Sequence, residues 1–591
     1  MKRWISGIAL AALVVVAIAS AVLMPQRSQA STPAGSGSHS GSGKVDSKKD
    51  AMADMPGMPS TTHSHSDSPT AAPDRPRGLV LGGFGLIAAT LLIGAVMVPG
   101  GPGLPIPGRA GRAGRKGGIP KTAQTPRLRP DEPSVTTMSQ VFRGEGNLLD
   151  FRVVGAVMRS RLFPGVLQFA MTGAFVLIVY QLLLGPDQAA NNLGTALTWV
   201  LWWPLLPIIF LVFSRFWCAV CPFGALNDLV QRHFGLQRRV PKFLNNYGIW
   251  VINASFLLIT WADHVWGIIE SPWGSGVLFL IITMAVIVTG VLFQRRAFCR
   301  HLCFLGGLAG NYARTGMVSL RADPDVCKTC TSRAACYNGT EKAPECPIFT
   351  FPRTMDSNAD CTLCSRCIKN CPNDALKLTV HKPTRELWFV RKPRFDVAFL
   401  AMAIMGIVLI QNLTMIGIWN NILTTLQHAL GTTNYVVIFT LVLLIAVFVP
   451  IGLLFAASAI AARVNRVTVL QNFSLFGYAL IPLSIAGHIA HNLFHLLGEG
   501  KSVLYTLRTA LGMTNHGTST AFAPTSTIQL LQYVMIAIGI GASLYAAWRL
   551  AKNHHLAGGS AGLTILPFAV LIVLLGALDA GMASLPMSHR V

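Results

Sequence analysis

The chain has 591 residues, of which 52% are hydrophobic and only 12% are charged. Because a soluble globular domain carries about 25% charged residues, this composition indicates an integral membrane protein and excludes a disordered chain, a coiled coil or a secreted disulfide scaffold. The net charge is +24. In a soluble protein that excess would suggest a nucleic-acid partner. In a membrane protein it indicates basic cytoplasmic loops, so the predicted partner is the lipid bilayer and not nucleic acid.

Eleven apolar stretches are each long enough, at about 20 residues, to cross the bilayer as a helix. They are residues 4–23, 78–98, 163–184, 194–216, 247–266, 274–293, 397–418, 435–461, 473–496, 528–548 and 563–583. The first follows Lys2-Arg3 and precedes Ser28-Gln29-Ala30, which is typical of a secretory signal. Residues 1–30 are therefore predicted to be either a cleaved signal peptide or a signal anchor.

Basic residues alternate between the predicted loops. Residues 99–162 carry eleven Lys and Arg, whereas residues 185–193, 267–273 and 419–434 carry none. Because Lys and Arg concentrate in cytoplasmic loops, we expect a multi-pass protein of the bacterial plasma (inner) membrane, with residues 294–395 cytoplasmic and residues 31–77 extracytoplasmic. Five tryptophans near the outer ends are predicted to form an anchoring aromatic belt: Trp199, Trp202, Trp203, Trp266 and Trp273.

The predicted fold class is an all-α polytopic membrane protein with an inserted cytoplasmic ferredoxin-like domain that holds two [4Fe–4S] clusters. Six segments follow from the spans and the polar stretches. They are a signal segment (1–30), an exported disordered His/Met-rich linker (31–77), a span with a basic cytoplasmic loop (78–162), a four-helix membrane domain (163–303), a ferredoxin-type 4Fe-4S domain (304–395) and a C-terminal five-helix membrane domain (396–591).

The twelve cysteines all lie on the predicted cytoplasmic side, where a reducing environment favours metal or redox use over structural disulfides. The last four form C-x2-C-x2-C-x3-C-P, the bacterial ferredoxin run that binds a [4Fe–4S] cluster. They are Cys361, Cys364, Cys367 and Cys371.

An earlier set repeats this pattern with longer spacers: Cys327, Cys330, Cys336 and Cys346. In two-cluster ferredoxins the fourth cysteine of each run binds the other cluster. The predicted clusters are therefore bound crosswise, one by Cys327, Cys330, Cys336 and Cys371, the other by Cys346, Cys361, Cys364 and Cys367. A structural zinc site is the alternative for the earlier set.

Two further pairs follow alternate spans: Cys218 and Cys221 in RFWCAVCPFG, and Cys299 and Cys303 in RRAFCRHLC. Their equivalent positions at the membrane edge suggest that the pairs meet in space. They could hold a third cluster, form a dithiol/disulfide redox pair, or bind a structural metal ion at the membrane surface.

These motifs over residues 160–380 resemble the NosR/NapH-type membrane polyferredoxins, and the related CcoG-type cytochrome oxidase accessory proteins share the layout. The resemblance implies electron transfer between the quinone pool and partners that serve periplasmic reductases or metalloenzyme assembly. The family's pattern is C-x3-C-P at both membrane-edge motifs. This chain has C-x2-C-P at the first and Phe304 in place of the proline at the second, which leaves the chemistry of these four cysteines open. No segment resembles the exported flavin-binding domain of NosR, so flavin is not implied.

Histidines mark a second candidate site, because ionisable groups inside a membrane are costly. His488, His491 and His495 share one face of a predicted span, where they could bind haem b or copper, or accept protons from quinol. The exported linker carries a set of thioether and imidazole groups that suits copper: Met52, Met55, Met58, His63 and His65.

The leading interpretation is a membrane-bound electron-transfer protein. It relays electrons between the quinone pool or a cytoplasmic donor and a membrane or extracytoplasmic acceptor. The alternative is a copper reduction and assembly factor for a respiratory metalloenzyme. A transporter with a redox sensor domain ranks last, because paired broken helices are not evident. No acid/base pair or nucleophile stands out, so no catalytic residue is assigned and the chain is interpreted as an electron-transfer component rather than an enzyme with its own substrate.

Overall fold

The computed structural model of the chain describes residues 146–332, 335–514, 519–554 and 561–587. The predicted signal segment, the exported linker with its methionines and histidines, and the span at residues 78–98 lie outside the described residues. The following paragraphs concern the described ranges.

Nine helices in these ranges are long and apolar enough to cross a membrane. They are α1 (Gly165–Leu184), α2 (Leu193–Phe213), α3 (Lys242–Trp266), α4 (Pro272–Leu292), α5 (Phe395–Met415), α6 (Tyr435–Asn465), α7 (Val469–Gly498), α8 (Thr525–Asn553) and α9 (Gly562–Ala583). Each coincides with one of the nine stretches predicted after residue 162, because long apolar runs satisfy their backbone in lipid only as helices.

Helix α7 is at the centre of the bundle. Its most apolar stretch is 100% buried and that of α5 is 83% buried, whereas only 17% of α1 is covered. Aromatic side chains tighten the packing around α7, and the rings of Phe476 and Phe568 stack with centroids 3.9 Å apart. The polar side chains of α7 are therefore shielded from lipid by neighbouring helices.

A polar domain lies between α4 and α5 in the chain. Its two-stranded antiparallel sheet pairs β1 (Val318–Ala322) with β2 (Leu376–Val380), and Leu320 lies opposite Leu378. Leu149, from the segment before α1, packs into the same small core. Eight of the twelve cysteines lie between the two strands in the chain.

A short helix, Phe304–Tyr312, joins this domain to the membrane helices. The sequence places it at the start of the ferredoxin-type domain. In the structure Leu308 and Tyr312 are buried in the main core with residues of α5 and α7. The Tyr312 hydroxyl lies 3.2 Å from Ser484 Oγ on α7. This helix therefore connects the cysteine-bearing end of the bundle to the central helix.

The prediction that Trp199 and Trp203 belong to an interfacial belt is wrong. They are only 8% and 6% exposed, and Trp199 Nε1 donates to Ser275 Oγ at 2.9 Å. Residues Ala196–Trp202 form a π-helical segment of α2. The Trp203 ring packs near Phe304, with centroids 6.5 Å apart. The four-residue spacing of Trp199 and Trp203 puts both rings on one face of α2, and the bundle covers that face.

Candidate functional site

The twelve cysteines form no disulfide with one another, and they group around three small cavities with four cysteines each. Set A is Cys327, Cys330, Cys336 and Cys371. Set B is Cys346, Cys361, Cys364 and Cys367. Set C is Cys218, Cys221, Cys299 and Cys303. Sets A and B each combine cysteines from both halves of the polar domain, and set C joins the two membrane-edge pairs.

Set A is built from a helix, a short turn and the end of the ferredoxin run. Asp323 caps the helix Pro324–Thr329, which carries Cys327. The Ala375 N–H donates to Cys371 Sγ at 3.3 Å. Burial, followed by the nearby Cys371 thiol, raises the pKa of Cys336 to about 12. The Cys336 thiol is therefore protonated at neutral pH, so binding of a metal centre by Cys336 would release a proton.

Set B is wrapped by a tight loop. Leu363 and Ser365 adopt left-handed backbone angles, with φ of 54° and 58°, which turns the loop back on itself. The Leu363 N–H donates to Cys361 Sγ at 3.4 Å. Burial and the neighbouring Cys364 and Cys346 thiols raise the pKa of Cys361 to about 12, although the Leu363 N–H opposes this rise. Backbone donors here favour an anionic sulfur once a cation is bound.

Set C lies at the N-termini of two helices. Cys221 caps Pro222–Phe234 and Cys303 caps Phe304–Tyr312. The Gly306 N–H donates to Cys303 Sγ at 3.2 Å. At Cys221 the backbone N–H groups of Phe223 and Gly224 act to lower the pKa of the thiol. Because helix N-termini carry partial positive charge, both ends favour thiolates in this set. Burial nevertheless raises the pKa of the metal-free Cys221 thiol to about 12.

Two buried arginines flank set C. Arg215 is 8% exposed, and its Nε donates to Cys218 Sγ at 3.5 Å. Arg296 is 1% exposed, and its Nη1 donates to the Cys218 carbonyl at 2.8 Å. Two guanidinium charges therefore lie near the thiols of Cys218 and Cys299 in this set. An anionic centre in this set would be compensated inside the protein.

Asp228 ties set C to the polar domain. Its carboxylate accepts from Arg296 Nε at 3.0 Å and Nη2 at 2.8 Å, and from Arg366 of the ferredoxin run. Burial alone would raise the pKa of Asp228, but the two guanidinium groups lower it to about 2. The carboxylate is therefore ionised at neutral pH and bridges the two parts of the protein.

Set B lies close to set A and to the loop of set C. The Cys336 thiol of set A is close enough to Cys367 of set B to contribute to its raised pKa. Cys364 of set B packs in one buried cluster with Ala219 and Val220. These two residues lie between Cys218 and Cys221, so set B directly contacts the loop of set C.

His488 of α7 lies near the cavity of set C, whereas the three histidines of this helix contact different partners. The cavity of set C is lined by Trp203, whose ring centroid is 6.0 Å from that of His488. His488 Nδ1 lies 3.2 Å from the Tyr312 hydroxyl and His491 Nδ1 lies 2.6 Å from Asn412 Oδ1.

The third histidine pairs with an acid. His495 Nδ1 is 3.0 Å from Glu499 Oε2, and both side chains are fully buried. The rings of His491 and His495 are 5.2 Å apart. Each histidine thus contacts a different partner, and binding of haem or copper there stays a prediction.

In the part of the chain that the structure describes, no three His, Cys, Asp or Glu side chains converge closely enough to hold a single metal ion. The cysteines of a [4Fe–4S] cluster bind separate irons of the cube and surround a larger centre. Four thiols around each cavity, with backbone donors to sulfur, fit such a centre. The methionines and histidines of the exported linker lie outside the described residues.

The sequence predicts that basic residues beside both membrane-edge cysteine pairs favour thiolates, but it did not single out Arg215, Arg296 or Asp228. A local signal for the arginines exists, because each stands three residues before the first cysteine of a membrane-edge pair, as RFWC and RAFC. Asp228 has no comparable motif, since its role depends on contacts with distant residues.

Comparison with known proteins supports the cysteine motifs. A family model described as a 4Fe-4S binding domain matches residues 195–241 and 275–318, which contain all four cysteines of set C. The chain is 26% identical over 200 residues to the "Putative electron transport protein YccM" of Escherichia coli (strain K12), covering 30% of this chain and 54% of that protein. It is 25% identical over 188 residues to the ferredoxin-type protein NapH of the same organism, covering 28% of this chain and 62% of NapH.

The aligned region therefore spans about half to three-fifths of the length of these curated relatives. No solved structure matches the chain. The matches confirm the resemblance to the NosR/NapH-type membrane polyferredoxins and the prediction of iron–sulfur binding.

Proposed function

We propose that this relative of the NosR/NapH-type polyferredoxins is a membrane-bound electron-transfer protein that holds three [4Fe–4S] clusters, one in each cysteine set. When bound, such clusters supply one-electron carriers. The observation that carries the proposal is the contact of Cys364 with Ala219 and Val220, which brings sets B and C together. The names of YccM and NapH, as an electron transport protein and a ferredoxin-type protein, support the same function.

The proposed cluster ligands are the cysteines of sets A, B and C. Set A would hold one cluster and set B the second, which is the crosswise arrangement of two-cluster ferredoxins. For set C, the match of a 4Fe-4S binding domain to its segments supports a cluster rather than a dithiol/disulfide pair or a structural metal ion. Arg215 and Arg296 would compensate the negative charge of that centre, and the helix N-termini at Cys221 and Cys303 would direct N–H groups at its sulfurs.

The proposed orientation places sets A and B on the cytoplasmic side of a bacterial plasma membrane, in accord with the basic loops. The donor would be quinol or a cytoplasmic protein, and the acceptor would be a membrane or extracytoplasmic redox partner. About 30 Å of hydrocarbon is too far for a single electron hop. A haem, copper or quinol at His488, His491 or His495 would therefore be needed for electrons to reach the far side.

The test is the iron and acid-labile sulfide content of the full-length protein purified without oxygen. We expect about twelve irons per chain, since each cluster holds four. The variants Cys221→Ser and Cys327→Ser should each lose about four irons per chain. The double variant should lose about eight irons, because the two residues belong to different sets.

Retention of a visible iron–sulfur spectrum in each single variant shows that the protein still folds. About eight irons in the wild type, unchanged in Cys221→Ser, would exclude a cluster in set C. Near-zero iron would contradict the proposed function as a whole.

A further inference from the structure

A cavity of about 620 Å³ lies where the membrane helices meet the polar domain. Its volume is in the range that holds a small organic ligand. Cys299 of set C forms part of its wall, yet most of its lining belongs to none of the three cysteine sets. Neither the cysteine motifs nor the proposed electron transfer accounts for this cavity.

The lining carries an excess of positive charge. Six basic side chains line the cavity against three acidic ones. One of the acids, Glu386, is 1% exposed and already bonded to Arg321 at 3.2 Å and to Ser357 Oγ at 2.7 Å. Its charge is therefore neutralised within the protein. Arg391 and Lys392 are exposed at the cavity, and they attract an anion.

Buried polar atoms face the inside of the cavity. Asn311 is 2% exposed, and neither its Oδ1 nor its Nδ2 has a hydrogen-bond partner among the described residues. His301 is 7% exposed, and its Nε2 likewise has no hydrogen-bond partner among the described residues. Buried donors and acceptors are normally satisfied, so these atoms indicate a polar ligand that reaches the base of the cavity.

One wall of the cavity is apolar. It consists of Ile249 and Ile252 from α3 and of Val397 and Leu400 from α5. Both helices are candidate membrane spans. The cavity therefore offers cations and amides on one side and membrane-embedded aliphatic side chains on the other, which suits an amphipathic anion.

We propose that this cavity binds an anionic phosphate ester, and that the occupant is an acidic phospholipid. The headgroup phosphate lies near Arg391, Lys392 and Asn311, and an acyl chain lies along α3 and α5. Basic pockets between membrane helices are known to accept such headgroups. The lipid would then form part of the packing around Cys299.

The test uses the full-length protein in detergent, with native mass spectrometry after addition of phosphatidylglycerol, of zwitterionic phosphatidylcholine, or of glycerol 3-phosphate. We expect phosphatidylglycerol to be retained in preference to phosphatidylcholine. The double variant Arg391→Gln/Lys392→Gln should bind phosphatidylglycerol roughly tenfold more weakly or worse, since each basic residue adds attraction near the surface. Asn311→Leu should also weaken binding, and it should fold because its amide loses no partner among the described residues.

The matched control is Arg238→Gln/Arg239→Gln, which removes two exposed charges that do not line the cavity. Equal retention of phosphatidylglycerol by the wild type and both double variants would overturn the proposal, as would equal retention of phosphatidylcholine. If glycerol 3-phosphate binds as tightly as phosphatidylglycerol, the site recognises a soluble phosphate ester and the lipid assignment is overturned. None of these outcomes depends on the number of clusters.

Discussion

Cys364 packs in one buried cluster with Ala219 and Val220, so a cysteine of the ferredoxin run contacts the loop that joins Cys218 to Cys221. Because electron transfer slows steeply with distance, this contact would be the critical junction of the proposed relay between the polar domain and the membrane edge. The junction is held by an ion-pair network rather than by apolar packing alone. Arg296 and Arg366, from opposite sides, share the carboxylate of Asp228.

Replacing Asp228 by Asn should destabilise this junction. Arg296 is 1% exposed, so the variant leaves a buried guanidinium without its counter-charge. Breaking a buried pair in this way costs about 3–5 kcal/mol. We expect a lower temperature for loss of the iron–sulfur absorbance on heating, measured in one detergent for both proteins.

The control is Asp325→Asn, which removes an exposed carboxylate paired with Lys328. Exposed pairs contribute about 0–1 kcal/mol, so this variant should behave like the wild type. Because the pKa of Asp228 is lowered to about 2 from an ordinary value of 3.8, its stabilising contribution is complete above pH 4 and is lost as pH falls toward 2. A loss of stability in Asp228→Asn that is confined to pH below 4 would contradict this account.

Crosswise ligation in sets A and B predicts a specific pattern of iron loss. Cys371→Ser and Cys327→Ser should each remove about four irons, and their double variant should lose no more than either alone, because both thiols belong to set A. Cys371→Ser combined with Cys361→Ser should lose about eight. Iron per chain and the visible spectrum measure the effect. If Cys371 instead bound the same cluster as Cys361, the outcomes of the two double variants would be reversed.

Replacing Arg215 by Gln should lower the reduction potential of the centre in set C. The Arg215 guanidinium is buried and donates to Cys218 Sγ, so its positive charge favours the more negative, reduced state. Removing it should shift the potential down by on the order of 100 mV. An EPR-monitored redox titration should show one of the three centres displaced.

Arg215→Lys is the matched variant, because it keeps the charge and loses the guanidinium geometry. It should retain most of the wild-type potential. An equal shift in the reduction potential of all three centres would show that Arg215 acts by stabilising the fold and not by its charge. A larger shift in Arg215→Lys than in Arg215→Gln would show the same.

The nine described spans could be predicted from the sequence because an apolar run longer than 18 residues carries its own signal. Helix ends were harder to predict. The third described span begins at Lys242, five residues before the predicted 247, since Pro241 starts the helix and polar residues such as Asn245 continue it. Local residues such as these decide where a helix begins, whereas the apolar run identifies only its middle.

The cysteine groups were predictable in part. The ferredoxin run is local, and its spacing alone indicates a cluster loop.

Contacts between distant parts of the chain could not be predicted. The contact between Tyr312 and His488 joins residues 176 positions apart, and no periodicity in the sequence indicates it. The same holds for Trp203, whose spacing fits both a membrane belt and an enclosed face. Only the packing of α2 against neighbouring elements distinguishes the two.

The centre of α7 offers a test of packing around the histidines. Gly487 lies against Asp579 of α9, and a Cβ atom on this glycine would stand 2.7 Å from Asp579 Oδ2. Asp579 in turn lies beside Asn412, which is bonded to His491. Gly487→Ala should therefore force α7 and α9 apart and destabilise the protein by about 1–3 kcal/mol, as overpacking does. Thermal unfolding in detergent measures the change.

Gly452→Ala on α6 is the matched control, because nothing lies within 4 Å of the Cβ position there. Alanine at that site should be neutral or stabilising by up to about 1 kcal/mol, since glycine weakens a helix interior. Adding Asp579→Ala to Gly487→Ala removes the clashing carboxylate and should restore much of the lost stability. If the double variant is no more stable than Gly487→Ala alone, the contact between Gly487 and Asp579 does not explain the effect, and the strain lies within α7 itself.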